Sequence, residues 1–185
     1  AAAVDLFVML VDHHQLAPRK VFAVVQSQDV ARTALRFRRD LGQPVDAPVW
    51  PTGFSCRTLL PGDAAAVHAL LKAADLHGPD LPDPEGWWTA LTGDSEFEAA
   101  LCFLALDAEL HIVGVAQCWT SAFLKDLAVR PDFRRLGIGR CLLGQVFCAF
   151  RACGASHLDL KVDVGNAAAI RLYERAGMRQ VPLAG

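Results

Sequence analysis

Residues 127–139 read Leu-Ala-Val-Arg-Pro-Asp-Phe-Arg-Arg-Leu-Gly-Ile-Gly, and this stretch decides the fold. An apolar segment reaches a turn at Pro131, and two arginines and two glycines then lead into a helical pattern of apolar residues. Because glycine has no Cβ, the backbone N–H groups of Gly137 and Gly139 can approach an anion closely, and the following helix directs its positive end there. The stretch therefore predicts a phosphate-binding loop between a strand and a helix.

The charge of this loop differs from that of the whole chain. The 185 residues carry a formal net charge of −2, whereas residues 130–140 hold four arginines against a single aspartate. Nucleic-acid binding favours a broad basic face, and the composition gives no sign of one. We therefore expect one localised anion site and no nucleic-acid partner.

The spacing of the loop excludes two common phosphate-binding motifs. No G-x-x-x-x-G-K-[ST] is present, and the last position of a G-x-G-x-x-G motif is occupied by Leu142. Residues 134–139, Arg-Arg-Leu-Gly-Ile-Gly, instead resemble the pyrophosphate loop of the GNAT superfamily of N-acyltransferases, whose pattern is [Q/R]-x-x-G-x-[G/A]. Every fixed position of that pattern is matched.

A second motif of the same superfamily follows downstream. Residues 166–178 read Asn-Ala-Ala-Ala-Ile-Arg-Leu-Tyr-Glu-Arg-Ala-Gly-Met and resemble its N-x-x-[A]-x-x-[L]-Y-E-x-x-G-[F/M] element. Asn166 and Tyr173 lie nearly two helical turns apart, at about 3.6 residues per turn, so we predict that both side chains face a common ligand. The resemblance covers residues 53–185.

The resemblance implies an α/β fold with a central mixed β-sheet flanked by helices and an acyl-CoA in a V-shaped split between two parallel strands. Backbone groups of Leu127, Ala128 and Val129 would pair with the pantetheine arm, often helped by a β-bulge. Asn166 would bind the pantetheine side. The residues that would surround the pyrophosphate, mostly through their main-chain N–H groups, are Arg134, Arg135, Leu136, Gly137, Ile138, Gly139 and Arg140.

The catalytic groups are also implied by the resemblance. Tyr173 stands where many relatives protonate the leaving sulfur, and a phenol with an ordinary pKa of about 10 suits that role. The N–H of Val129 would stabilise the developing oxyanion. Asp126 is predicted either to act as the base or to bind a cationic acceptor. Relatives that acetylate polyamines often carry Glu before this Asp, and Lys125 stands there instead, which argues against a polyamine.

Residues 75–98 supply further candidates for the acceptor side. Trp87 and Trp88 could floor an acceptor pocket or pack in the core. The acceptor itself cannot be identified from this irregular segment. His13 and His14 could suggest a metal site, but no third ligand follows at zinc spacing, so no metal is expected. Other candidates for the base are His77, Asp80, Glu96 and Glu98.

Strand and helix patterns alternate along the rest of the domain. A hairpin early and strand-helix-strand crossovers late predict a mixed sheet, with a parallel pair formed by residues 123–129 and 157–162. Ligands of such sheets bind beyond the carboxyl ends of the strands, where the phosphate loop falls. The other predicted elements are strands at 54–60, 100–106, 111–120 and 178–182, a helix at 64–74 capped by Asp63, a loop at 75–93, and helices at 137–153 and 166–176.

Residues 1–50 are predicted to form an appendage to this domain. It would contain strands at 4–11 and 21–26 and a helix over 29–41. We consider three accounts of it: a degenerate half-repeat, in which residues 34–36 align with 169–171; an accessory strand–strand–helix layer that extends the main sheet; or the remnant of a preceding domain.

Composition favours a reduced, cytoplasmic protein. The chain is 53% hydrophobic, yet its apolar runs stop well short of the ~20 residues of a membrane span, and no leader pattern is visible. The six cysteines form no C-x-x-C and lie mostly in apolar segments. Whether the protein forms a homodimer stays open at this point.

The sequence therefore predicts an N-acetyltransferase that moves an acetyl group from acetyl-CoA to a primary amine of a small molecule or protein in a ternary complex. One alternative is a non-catalytic acyl-CoA-binding or regulatory module of the same fold. The other is a protein that binds a nucleotide or a sugar phosphate through the same loop.

Overall fold

The computed structural model describes residues 34–183, which build a seven-stranded mixed sheet with helices on both faces. The strands are β1 (Ala34–Asp40), β2 (Ser55–Thr58), β3 (Phe97–Leu106), β4 (Ile112–Trp119), β5 (Phe123–Val129), β6 (His157–Asp163) and β7 (Arg179–Val181). The helices are α1 (Ala64–Ala73), α2 (Pro84–Thr92), α3 (Ile138–Ala152) and α4 (Ala167–Arg175). The strand order is β2-β3-β4-β5-β6-β1-β7, and β5 with β6 is a parallel pair between antiparallel neighbours. The predicted mixed sheet is thus confirmed.

Two cores sandwich the sheet. One lies under α3 and α4 and includes Leu142, Val146 and Tyr173, and the other lies under α1 and α2 and includes Leu71 and Trp87. β4 is buried on both faces because it sits between them, which explains its nearly continuous apolar sequence. None of the helices within residues 34–183 combines the length and the apolarity needed to cross a bilayer.

The sequence predicts a segment that is largely loop, with a helical turn around Trp87 and Trp88, and the structure has a longer helix there. α2 spans Pro84–Thr92, inside the predicted loop at 75–93. Proline is tolerated in the first turn of a helix, and the carboxylate of Asp83 accepts the Gly86 N–H at 2.7 Å as an N-cap. The density of prolines therefore marks the start of this helix and does not exclude it.

The predicted cap of α1 is wrong. Asp63 precedes α1 but makes no side-chain cap hydrogen bond. Its carboxylate instead accepts hydrogen bonds from both terminal nitrogens of Arg57, at 2.6 and 2.7 Å, and from the Leu60 N–H, at 2.7 Å. The ion pair holds β2 against the start of the helix.

The predicted helix over residues 29–41 is wrong wherever the structure describes it. Residues 34–40 form β1, an inner strand that pairs with both β6 and β7. Leu35 and Phe37 face the core under α3 and α4, while Arg36 and Arg38 both bind the buried carboxylate of Asp159 on β6. This alternation has the period of a strand.

The half-repeat alignment is contradicted by the same strand. Residues 34–36 are extended, whereas residues 169–171 belong to α4. The predicted strands at 4–11 and 21–26 and the histidines at 13 and 14 lie outside the described residues. The assignment of residues 1–33 to an appendage stays a prediction.

Candidate active site

The two parallel strands separate toward their carboxyl ends. β5 and β6 are paired at Phe123 with Asp159 and at Leu124 with Leu160, and their register ends there. β5 continues to Val129 and stays paired on its other side with β4. The edge of β5 that faces the split therefore offers backbone donors and acceptors to an extended ligand.

A β-bulge marks the start of this split. Gln117 of β4 pairs with Asp126, and the next residue, Cys118, pairs with Leu124, so Lys125 is inserted between them. A bulge bends its strand and increases the local twist. The bulge agrees with the one that the family resemblance implies beside the pantetheine arm.

The loop after β5 gathers free backbone donors at the start of α3. Arg135 and Gly137 adopt positive φ values of 65° and 88°, the second being readily available to glycine. The N–H of Cys141 is the first of the helix to be bonded, to the Gly137 carbonyl at 3.0 Å. Within the described chain, the N–H groups of residues 135–140 have no hydrogen-bond partner. They lie at the positive end of a 15-residue helix, an arrangement that can hold an anion.

The four arginines of the loop differ in their contacts. Arg130 binds Asp132 at 2.7 Å, and Arg134 donates to the carbonyls of Val129 and Ala74, at 3.2 Å each. Arg134 therefore ties the loop to the end of α1. Arg135 and Arg140 are exposed and remain to face an anion.

The apolar residues of the loop also differ in their exposure to solvent. Leu136 is exposed, whereas Ile138 is buried in the core beneath the loop. Gly139 faces α4, because a Cβ at this position would lie 3.4 Å from Leu172. These residues can therefore meet an anion through their backbone and not through their side chains.

Asn166 and Tyr173 differ in exposure and in their place on α4, and a common ligand for both stays a prediction. Asn166 is the exposed N-cap, and its side-chain oxygen accepts the Ala169 N–H at 3.0 Å. Its ψ of 65° is not helical, so helical periodicity does not reach it. Tyr173 is 7% exposed and packs beside Phe37, with ring centroids 6.1 Å apart.

The structure brings Asp126 and His77 together. Asp126 is 4% exposed, with Oδ1 at 3.1 Å from Nε2 of His77 and Oδ2 at 2.8 Å from Nζ of Lys125. Burial acts to raise the pKa of Asp126, but the hydrogen bond from His77 and the charge of Lys125 outweigh burial and lower it. Asp126 is therefore an ionised carboxylate with both oxygens engaged.

The charge of the Asp126 carboxylate also affects Tyr173. Burial, and after it the negative charge of Asp126, raise the pKa of Tyr173 to about 12. The phenol is therefore protonated at neutral pH, and its hydroxyl makes no hydrogen bond within residues 34–183.

The other candidates of the acceptor segment lie elsewhere. Glu96 accepts the Ser121 N–H at 3.2 Å, and Asp80 and Glu98 are exposed. Trp87 is buried against His68, with ring centroids 5.8 Å apart, and Trp88 packs beside it. The tryptophans therefore serve the core between α1 and α2.

Sequence reasoning missed Gln117. It is 1% exposed and stands opposite Asp126 across the strand pair. Among the described residues its amide nitrogen has no hydrogen-bond partner, and a buried unpaired donor costs about 1–3 kcal/mol. The apolar sequence of β4 does not show that Gln117 lies beside Asp126, because that contact depends on the pairing of β4 with β5.

A split parallel pair, a bulge and a cluster of free N–H groups together match the arrangement that the family resemblance implies. In agreement, residues 67–178 match the Acetyltransferase (GNAT) family. The chain therefore belongs to the GNAT acetyltransferase family.

Individual relatives support the family assignment. The mycothiol acetyltransferase of Thermobispora bispora is 33% identical over 165 residues, which is 80% of this chain and 54% of that protein. A GCN5-related N-acetyltransferase from Sphaerobacter thermophilus superimposes with a TM-score of 0.70 at 31% identity, over 80% of this chain and 48% of that one. This chain thus spans about half the length of these relatives.

A third relative shares the fold at lower identity. A protein from Salmonella typhimurium, solved with its cofactor acetyl-CoA, superimposes with a TM-score of 0.54 at 21% identity. The match covers 68% of this chain and 79% of that one.

Proposed function

We propose that this protein transfers the acetyl group of acetyl-CoA to a primary amine of a small molecule or a protein terminus. The observation that carries the proposal is the opening between β5 and β6, which leads directly to the free N–H groups of residues 135–140. An extended pantetheine arm and a pyrophosphate need these two features side by side. Both substrates would be held together in a ternary complex, because positioning supplies much of the rate.

The donor would lie along β5. Backbone groups of Leu127, Ala128 and Val129 hold the pantetheine arm, and the amide of Asn166 binds it from α4. Arg135 and Arg140 add charge to the N–H groups around the pyrophosphate. Arg134 holds the loop in place through its bonds to Val129 and Ala74. Acetyl-CoA supplies an activated acetyl carbon at the mouth of the split.

The acid and the acceptor side then fall on opposite faces of the sheet. Tyr173 lies in the core under α3 and α4 and donates its proton to the leaving sulfur. The N–H of Val129 stabilises the charge that develops on the acetyl oxygen. Asp126 and His77 lie on the face under α1 and α2, where the amine would arrive.

Calorimetry tests the donor site first. We expect acetyl-CoA and CoA to bind and ATP to bind far more weakly. Replacing Arg135 and Arg140 together by alanine should weaken acetyl-CoA about tenfold to a hundredfold, since hydrogen bonds to charged groups contribute about 1.5–3 kcal/mol. Arg151→Ala is the matched control, because Arg151 is exposed at the far end of α3. Preference for ATP would refute the proposal.

A thiol-release assay tests the transfer itself. The acceptors are ethanolamine, glucosamine, alanine amide and a pentapeptide with a free amino terminus, each offered with acetyl-CoA. Amine-dependent release of CoA, with an acetylated product seen by mass spectrometry, supports the enzyme. Binding without release for every amine would favour the non-catalytic module.

A further inference from the structure

We propose that His77 is the base that deprotonates the acceptor amine, and that Asp126 is the positioning residue that holds it. The inference rests on the acetyl transfer proposed above. It assigns the base to a residue 49 positions away from Asp126 along the chain, on the turn that follows α1.

The contacts of Asp126 make it unsuited to take the proton itself. One of its oxygens accepts from His77 and the other from Lys125. Both oxygens of this buried carboxylate are already engaged by a donor, and its lowered pKa makes it a weak base. The same contacts make it a firm anchor for the imidazole.

The hydrogen bond to Asp126 fixes the tautomer of His77. An ionised carboxylate only accepts, so Nε2 of the ring must carry the hydrogen. Nδ1 then keeps its lone pair, and no described residue occupies it. The side chain is 31% exposed, so an amine can reach this nitrogen from solvent. A carboxylate behind a histidine is the arrangement that orients a general base.

The turn that carries His77 is held at several points. Its own carbonyl accepts the Asp80 N–H at 3.1 Å, and the Leu76 N–H bonds the Leu71 carbonyl at 3.3 Å. Arg134 bonds the carbonyl of Ala74, three residues before His77. The base is therefore linked through Arg134 to the loop that would hold the donor.

His77 and Tyr173 approach the reacting carbon from opposite faces of the sheet. Asp126 lies on the α1 and α2 face, as its contact with His77 shows, and Tyr173 packs in the core of the other face. Tyr173 is close enough to Asp126 for the charge of that carboxylate to contribute to its raised pKa. A base on the acceptor side and an acid on the sulfur side suit the direction of transfer.

The protons balance over one turnover. An ammonium acceptor gives one proton to Nδ1 of His77 and becomes a neutral amine. Its lone pair forms the C–N bond to the acetyl carbon while the C–S bond breaks and its electron pair leaves on sulfur. The hydroxyl of Tyr173 protonates that sulfur, and its oxygen takes back the surplus proton of the new amide nitrogen. His77 then releases its proton to solvent, so the products are the acetylated amine, CoA and one proton.

The test compares His77→Gln with His111→Gln. The glutamine at residue 77 can still donate to Asp126 but cannot take a proton, whereas His111 is exposed on the turn between β3 and β4. With the fastest amine of the four acceptors, we expect kcat to fall about a hundredfold or more in His77→Gln, and acetyl-CoA affinity to stay within twofold. His111→Gln should match the wild type. A kcat within threefold of the wild type in His77→Gln would overturn the inference and leave the proposed function standing.

A pH profile separates the base from a structural contact. The loss of rate at low pH that His77 causes should disappear in His77→Gln and persist in His111→Gln. The groups that face the pair are Lys125 on β5, whose charge lowers the pKa of Asp126, and Cys102 on β3, Cys118 on β4 and Tyr173 on α4, whose pKa values the charge of Asp126 raises. A low-pH limb that is unchanged in His77→Gln would refute the proposal.

A spectroscopic measurement needs no variant and no acceptor. Ring ¹⁵N shifts of the free protein should report His77 as the Nε2–H tautomer, and Asp126→Asn should weaken that preference. Observation of the Nδ1–H tautomer in the wild type would overturn the inference, because the lone pair would then face Asp126. If the wild type binds acetyl-CoA but acetylates no amine, the proposed function fails first.

Discussion

Replacing Tyr173 by phenylalanine removes one oxygen from a site where its structural and chemical roles can be measured apart. The hydroxyl bonds to no described residue, so its removal breaks no hydrogen bond of residues 34–183. We therefore expect Tyr173→Phe to be at least as stable as the wild type at pH 7, and to bind acetyl-CoA equally well.

The pKa of Tyr173 adds a pH dependence with a definite sign. The pKa is raised from 10.0 to about 12 in the folded protein, so the protonated phenol favours the folded state. That contribution is complete below pH 10 and is lost as the pH rises toward 12. One pH unit corresponds to about 1.36 kcal/mol, so the wild type should lose up to about 2.7 kcal/mol relative to Tyr173→Phe across this window.

Two assays check these expectations together. Urea unfolding of both proteins from pH 8 to pH 11 should show parallel curves below pH 10 and divergence above it. Thiol release at pH 7 should fall about a hundredfold or more in kcat. Equal turnover would remove Tyr173 from the mechanism, and parallel stabilities up to pH 11 would refute the account of its pKa.

Two further changes test the loop and the α1 contact. Gly137→Ala and Gly154→Ala place alanine at φ values of 88° and 80°, so each should lose about 1–2 kcal/mol in thermal unfolding, but only Gly137→Ala should weaken acetyl-CoA in calorimetry. Equal acetyl-CoA affinities would contradict the assigned anion site. Asp63→Asn should cost about 2 kcal/mol at pH 7. The Arg57 hydrogen bond lowers the pKa of Asp63 from 3.8, so the loss should vanish as the pH falls through the folded value, and Asp132→Asn should show neither effect. A cost that does not shrink as the pH falls would exclude the ion pair as its source.

The two motifs were predictable because their signals are local. Gly137 adopts the positive φ that the loop requires, and Asn166 caps the helix that begins directly after it. These features depend on neighbours within a few residues. The strand, the loop and the helix around residues 123–153 could therefore be predicted from the sequence.

The missed features depend on residues far apart in the chain. Residues 34–40 contain three arginines, which favour helices, and only the partners on β6 and β7 make them a strand. His77 and Asp126 meet because α1 packs on the sheet, and no spacing rule connects them. Gln117 acquires its role from the strand opposite. Tertiary contacts overrode local preference in each case.

β1 sets a requirement on the order of assembly. Arg38 and its partner Asp159 are separated by 121 residues, and the hydrogen bonds of β1 to β7 require a still longer stretch of chain. β2 to β5 can pair as soon as they leave the ribosome, whereas β1 must wait for β6 and β7. Until then the apolar side chains of Leu35 and Phe37 are exposed to solvent, and the edges of β6 and β7 that will pair with β1 have no partner. We expect insertion of β1 to be the late, slow step of folding and the stage at which a nascent chain is most prone to aggregate.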